Sequence, residues 1–235
     1  MAGRAKQGRK RLSDPFRFDR EFLASQEIAP ADMRLAGADE AGRGSLAGPL
    51  VVAAVVLDYS REPFAGLRGL TDSKLLSPAA RERIYRDLLC VASRVSWTAI
   101  SPGTVDRVGL HRCNLSALCS VLESCSGAYG CALVDGFDLK RADLRASALV
   151  RGDYKSATVA AASVVAKVVR DRLMRSVATL YPEYGFEVHV GYGTDLHREA
   201  LRLHGPSEIH RLSFQGVGWS QLELWEAQSD YGEPD

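Results

Sequence analysis

Four carboxylates that follow short apolar runs are the residues of this chain best placed to do chemistry. Asp39 and Glu40 follow Leu35-Ala36-Gly37-Ala38 and precede a Gly42-Arg43-Gly44 turn, Asp135 follows Ala132-Leu133-Val134, and Asp153 follows Ala148-Leu149-Val150 by way of Arg151-Gly152. Adjacent carboxylates repel, so two at the mouth of an apolar strand cost stability unless a cation or a partner neutralises them. Taken alone, the first pair also fits an ordinary hairpin turn, where Asp and Gly are common. Three acidic strand ends shift that balance. Neighbouring parallel strands bring their carboxyl ends into one crevice, so Asp39, Glu40, Asp135 and Asp153 can meet although they lie far apart in the chain. Oxygen ligands without His or Cys partners suit hard cations, Mg²⁺ or Mn²⁺ ahead of Ca²⁺. The chemistry this implies is phosphoryl transfer, with two ions activating a water and stabilising a leaving oxygen. Successive strand residues face opposite ways, so Asp39 and Glu40 both reach one site only if the strand ends near Asp39.

The elements that must position these acids can be read from periodicity and capping. Strands are expected over about 35–39 and 50–57, joined as a hairpin across the glycine-rich turn, and further strands over 95–100, 132–134 and 148–150. Ser77-Pro78 and Ser101-Pro102 are helix starts, 111–124 has an amphipathic period, and Thr194 caps a helix over 195–204 that Gly205-Pro206 closes. Between elements lies the polar knot Thr71-Asp72-Ser73-Lys74. A long helix over about 158–180 carries Ala160, Ala161, Ala162 and Ser163, small enough to pack closely on a sheet, with Lys155 and Ser156 at its N-terminus, where phosphates are attracted. Asp171 on that helix is expected to pair with a neighbouring Arg rather than to hold a metal. His189, His197, His204 and His210 lack the i, i+4 spacing of metal ligands and are expected in surface, capping or phosphate roles. Tyr181 and Tyr184 fit stacking on nucleotides or packing equally well.

Bulk properties narrow the class. With 235 residues, 46% of them hydrophobic and 25% charged, the chain suffices for one sizeable core. It has no apolar run of membrane-span length and no apolar stretch behind its basic N-terminus, which points to a cytoplasmic protein without a membrane. Five cysteines, odd in number and without a C-x-x-C pair, suggest neither a disulfide framework nor a zinc site. Residues 1–20 carry seven Lys/Arg against two Asp, a net +5, although the whole chain has a net charge of only +1. Residues 1–33 are therefore expected as a basic, mostly disordered extension, with a short helix over 16–24, either solvated or touching nucleic-acid phosphates. Residues 34–220 would form the catalytic domain and 221–235 a tail.

Taken together, the motifs resemble those of ribonuclease HII: DEAGRG at 39–44, TDSKLLS at 71–77, VDG at 134–136, RGDYKS at 151–156, AAASVVAKVVRDRLM at 160–174, YPEYGF at 181–186, HVGYGT at 189–194 and GPSEIHRLSF at 205–214. The resemblance runs in the family's order from about residue 35 to 218. It implies an α/β fold of ribonuclease H type, a mixed central sheet flanked by helices with a helical C-terminal part. It further implies endonucleolytic cleavage of RNA in RNA/DNA hybrids, and 5′ of single ribonucleotides in duplex DNA, leaving 3′-hydroxyl and 5′-phosphate ends. The family's metal-holding acids map onto Asp39, Glu40, Asp135 and Asp153, with Mn²⁺ or Mg²⁺ as cofactor. Its ribonucleotide-sensing motif maps onto Gly42, Arg43, Gly44 and Tyr192, which would contact the deoxyribose that follows the junction. Lys155 and Ser156, and more weakly Asp72, Ser73 and Lys74, would hold the backbone. The resemblance also implies a monomer and leaves room for a sliding-clamp-type protein partner.

Three positions depart from the family pattern: Ser45 in place of the usual proline, Leu75 in place of a second lysine and Arg151 in place of a lysine. Ser45 is expected to loosen the turn slightly and Leu75 to remove a phosphate contact. Two other readings compete. Ribonuclease HIII shares the fold but carries a large N-terminal substrate-binding domain, for which the basic segment is too short. A non-catalytic nucleic-acid binder using cations structurally is the second.

Overall fold

The computed structural model describes residues 14–26, 32–64 and 66–218. Five strands, β1 (Arg34–Ala41), β2 (Leu50–Asp58), β3 (Arg94–Ile100), β4 (Cys131–Asp135) and β5 (Ala146–Leu149), form one sheet in the order β3-β2-β1-β4-β5. The β1–β2 and β2–β3 pairs are antiparallel; β1–β4 and β4–β5 are parallel. The sheet is mixed, as expected.

Period-two alternation sorts β1 between two cores. Leu35 joins Val51, Ala53 and Val55 of β2 and the helix α6 (Ala157–Val177) on one face, while Ala36 and Ala38 join Val52 and Ala54 and the helix α4 (Leu110–Glu123) on the other. At Gly37 the two layers approach closely: a Cβ there would run into the Thr158 carbonyl at the start of α6. A third cluster, containing Met174, Tyr184, Phe186, Val190 and Leu201, ties the C-terminal helices α7 (Phe186–His189) and α8 (Asp195–His204) to Leu46 and Ala47. Tyr184 is buried and stacked on Phe186, and Tyr181 meets the same ring edge-on, so both pack rather than offer faces to bases.

The helix starts follow their capping residues. Ser77 accepts the Ala80 N–H at the head of α2 (Pro78–Val91), Ser101 accepts the Thr104 N–H for α3 (Pro102–Val108), and Thr194 does the same for α8 through the His197 N–H. The third acidic strand end is not one. β5 stops at Leu149, and Asp153 sits on α5 (Gly152–Lys155), a single turn entered through Arg151 in the left-handed region (φ 58°).

Part of the expected N-terminal extension belongs to the folded body. Residues 14–26 contain α1 (Pro15–Ser25), whose Leu23 is buried against the α6 side of the sheet. Asp19 reaches the N-terminus of α6, where its Oδ2 accepts from Tyr59 (2.5 Å), the Thr158 N–H (2.8 Å) and the Thr158 hydroxyl (2.8 Å). A carboxylate at unpaired helix N–H groups is favourable, and net charge counts do not reveal such a lock. The expectations for residues 1–13, 27–31 and 221–235 lie outside the described residues.

Candidate active site

Asp39 and Asp135 lie side by side because β1 and β4 are parallel, with Ala38 opposite Val134 one residue earlier. Both have the parity of the α6 face. Asp153 comes to meet them from α5, and Asp39, Asp135 and Asp153 each present a carboxylate oxygen within 4.8 Å of the others. Asp135 Oδ1 accepts the Gly152 N–H (2.6 Å), which holds α5 against the end of β4.

Glu40 is not in that group. β1 runs on to Ala41, so Glu40 points to the α4 face, where its Oε1 lies 3.5 Å from Arg43 Nη1. Its Oε2 is buried without a hydrogen-bond partner, as are both polar atoms of Asn114 on α4. The expected convergence therefore holds for three acids, and strand alternation separates the fourth.

Charge dominates the site. Burial pushes Asp39 well above the usual carboxylate range, and Glu40 and Asp135 add to the push, against hydrogen bonds from the Glu40 N–H and Ser163. Burial also raises Asp153, with Asp72 and Asp135 adding, and raises Glu40, with Arg43 opposing. The ammonium of Lys74 lies 3.5 Å from Asp153 Oδ2 and 4.0 Å from Asp72 Oδ1. Burial works against its charge, but Asp72, Asp153 and Asp39 hold it above its ordinary value. Lys74 thus serves as the cation this cluster lacks among side chains of its own.

The remaining expected site residues divide. Arg43 and Gly44 are exposed on the turn, Arg43 over the Phe137 ring (4.9 Å), and nothing lies within 4 Å of where a Gly44 Cβ would be. Gly42 has φ 90° and backs onto Arg170. Ser45 closes the turn by donating its N–H to the Gly42 carbonyl (3.3 Å), a bond proline could not make. Tyr192 bridges to Ser45, with Lys167 and Arg170 over its ring at 4.8 and 5.1 Å. Lys155 is partly exposed, but Ser156 is fully buried and spends its hydroxyl on the Val159 N–H as the cap of α6. Ser73 is also buried, bonded to Ser163 (2.8 Å), so it supports Asp39 from behind. Asp171 pairs with Lys167 (2.7 Å) and more distantly with Arg81 (4.0 Å), an ion pair as expected, though chiefly to a lysine.

The description "Ribonuclease HII" belongs to the family model that matches residues 36–217, most of the chain. The chain belongs to the ribonuclease HII family. A ribonuclease HII from Xanthobacter autotrophicus is 46% identical over 86% of this chain and 79% of its own length. Among solved structures, ribonuclease H2 from Pyrococcus horikoshii superposes with a TM-score of 0.71 at 27% identity, covering 84% of this chain and all of that one. The PCNA:RNase HII complex from Archaeoglobus fulgidus gives 0.61 at 29% identity, over 72% and 87%. As a ribonuclease HII the protein is an RNA-cleaving hydrolase of the ribonuclease H type, a class that depends on divalent metal ions. The site fits such an ion: three carboxylates share a small volume and a lysine stands in as counter-ion, while on the other face of β1 Glu40 Oε2 is buried without a partner.

Sequence reasoning missed the basic and imidazole groups behind the site. Arg170 and Arg211 are fully buried, and His189, His197 and His210 form a buried cluster rather than lying at the surface. His189 stacks on His197 (4.5 Å between ring centres), and His197 Nε2 lies 3.0 Å from His210 Nε2. Burial holds His197 and His210 down to about 4. Unfolded, both titrate near 6.5. Below that pH the unfolded chain binds protons the folded one refuses, so their contribution is intact above 6.5 and falls as pH drops towards 4. The raised acids act in the opposite direction, so the imidazole signals themselves carry the test. Their NMR shifts should stay constant from pH 8 to 5; a titration centred near 6.5 would contradict this.

Proposed function

We propose that this ribonuclease HII cleaves RNA in RNA/DNA hybrids and cuts 5′ of single ribonucleotides embedded in duplex DNA, leaving 3′-hydroxyl and 5′-phosphate ends, and so serves ribonucleotide removal from DNA. The observation that carries the reading is the three-carboxylate group at the ends of β4 and α5 and within β1, set beside an exposed glycine turn and a tyrosine. Asp39, Asp135 and Asp153 would hold Mg²⁺ or Mn²⁺, with Glu40 as the fourth carboxylate. When bound, the ions supply an activated water and neutralise the charge that develops on the leaving 3′-oxygen.

The chain's own groups supply the rest. Gly44 is bare enough for its backbone to approach a sugar edge, where the 2′-hydroxyl separates RNA from DNA. Arg43, exposed and forked, suits the neighbouring phosphate. Lys74 and Lys155 are placed to take the strand's backbone, and Lys74 can release its acids to do so. Tyr192 packs on two cations and offers its ring to the deoxyribose beyond the junction. The catalytic unit is residues 34–220, with α1 packed on it, and it acts as a monomer. The complex of the Archaeoglobus fulgidus relative with PCNA supports a clamp-type partner.

A duplex DNA carrying one ribonucleotide, incubated with Mg²⁺ or Mn²⁺, tests the reading. The expected products are a 3′-hydroxyl that a polymerase can extend and a 5′-phosphate on the ribonucleotide. Binding without cutting would leave a non-catalytic binder. Tyr192→Ala should lower cleavage at the single ribonucleotide about tenfold more than cleavage of a long hybrid, roughly one stacking contact's worth; equal losses on both substrates would count against the role given to Tyr192.

A further inference from the structure

The segment GPSEIHRLSF at 205–214 contributes no group to the chemistry described above, yet two of its residues are buried beneath the turn and beneath Tyr192. Arg211 donates from Nη1 to the Arg43 carbonyl (3.1 Å), and from Nε and Nη2 to the Gly48 carbonyl (3.1 and 3.0 Å). Its own N–H donates to the Leu46 carbonyl (2.9 Å). His210, one residue earlier, faces the other way. Its Nδ1 accepts the Ser207 N–H (2.9 Å), so its proton sits on Nε2 and is donated to His197 Nε2. His197 in turn carries its proton on Nδ1 and donates it to the Tyr192 carbonyl (2.9 Å).

We infer that the His210-Arg211 dipeptide is the positioning centre of the ribose-reading element: Arg211 fixes the turn through the Arg43 carbonyl, and His210 fixes Tyr192 through His197. The inference rests on the reading that the turn and Tyr192 together recognise the ribonucleotide. Two adjacent residues of one chain then set the distance between the turn and Tyr192, which come from segments about 150 residues apart in the sequence. The tautomers are fixed at both ends of the imidazole pair, by an N–H at Ser207 and a carbonyl at Tyr192, so the relay has one arrangement of protons. The bidentate fork of Arg211 on Gly48 leaves Nη1 one direction, towards Arg43.

Such a device matters most where only one phosphodiester is competent. In a long hybrid every register presents a ribose, so a displaced reader still finds a cleavable bond. With a single ribonucleotide there is no second register, and a misplacement of about 1 Å can cost on the order of 100-fold.

The test compares kcat and KM on a single-ribonucleotide duplex and on a long hybrid, with thermal unfolding of each variant. In His210→Asn the amide reaches the place of Nδ1 and keeps Ser207 but leaves His197 unpartnered; in His210→Gln it reaches the place of Nε2. The ratio of kcat/KM between the two substrates should fall at least about tenfold in His210→Asn and in Arg211→Lys, which loses the fork but not the charge, and stay within about threefold of wild type in His210→Gln. If His210→Asn does not fold, His197→Gln, which keeps a partner for His210 but not for Tyr192, decides the same point. Loss on both substrates in proportion, tracking a lower unfolding midpoint, overturns the inference. A ratio that moves in Tyr192→Ala but in neither His210→Asn nor Arg211→Lys defeats the relay alone. A ratio that does not move even in Tyr192→Ala defeats the ribose-reading assignment itself, and the relay with it.

Discussion

Asp39→Asn is expected to lower cleavage at least about 10³-fold and, at the same time, to raise the unfolding midpoint of the metal-free protein. The loss follows from the ligand chemistry, since a neutral amide cannot replace a carboxylate on a hard cation, and several kcal/mol of charge stabilisation is worth that much in rate. The gain in stability follows from burial. Asp39 is almost inaccessible and is pushed well above the usual carboxylate range by desolvation, then by Glu40 and Asp135. Its folded form therefore holds a proton more tightly than its unfolded form, near 4. The metal-free protein keeps that contribution in acid and loses it as pH rises from about 4 through the folded value. Asparagine removes the titration and retains, through its oxygen, the acceptor for the Glu40 N–H, 2.7 Å away. The midpoint should thus rise in the variant and depend less on pH between 5 and 8. Full activity in Asp39→Asn, or in Asp135→Asn, whose amide oxygen can keep the Gly152 N–H, would refute the assignment of these acids.

Gly37→Ala is expected to destabilise the protein by about 3 kcal/mol or more, a fall of roughly 6–12 °C in the midpoint for a body of this size. The added methyl would meet the carbonyl of Thr158 and the N–H of Val159, which are backbone atoms of the first turn of α6 and cannot rotate away. Strand β1 would have to part from α6, taking Asp39, two residues on, away from Asp135. Gly44→Ala is the control: its methyl meets nothing, so its stability should stay within about 0.5 kcal/mol of wild type. Equal midpoints for Gly37→Ala and wild type would show that the layers are not pinned at this position.

The elements and the acids could be read early because each leaves a local trace. Ser77-Pro78, Ser101-Pro102 and Thr194 cap the helices they mark, and the apolar runs before Asp39 and Asp135 are strands that carry the acids, Asp135 at the end of β4 and Asp39 within β1. The short helix expected over 16–24 is present as α1, but its docking on the body and its buried Asp19 were hidden inside a segment whose average charge reads as a solvated tail. Arg170, Arg211, His197 and His210 left no signal either. Each is a residue type usually found at surfaces, and each is buried here by carbonyls and ring nitrogens from distant segments.

By itself, the sequence determined which side chains can carry charge to a divalent ion and where strands and helices begin, since composition, alternation and capping act over a few residues. Only the tertiary structure decided that Asp153 arrives on a helical turn rather than a strand end, that Glu40 faces α4 while Asp39 faces α6, and that Ser156 and Ser73 support the site from within. The reason is physical: which side of a strand faces which layer, and which buried donor meets which carbonyl, depend on how separated segments pack, and no local pattern encodes that packing.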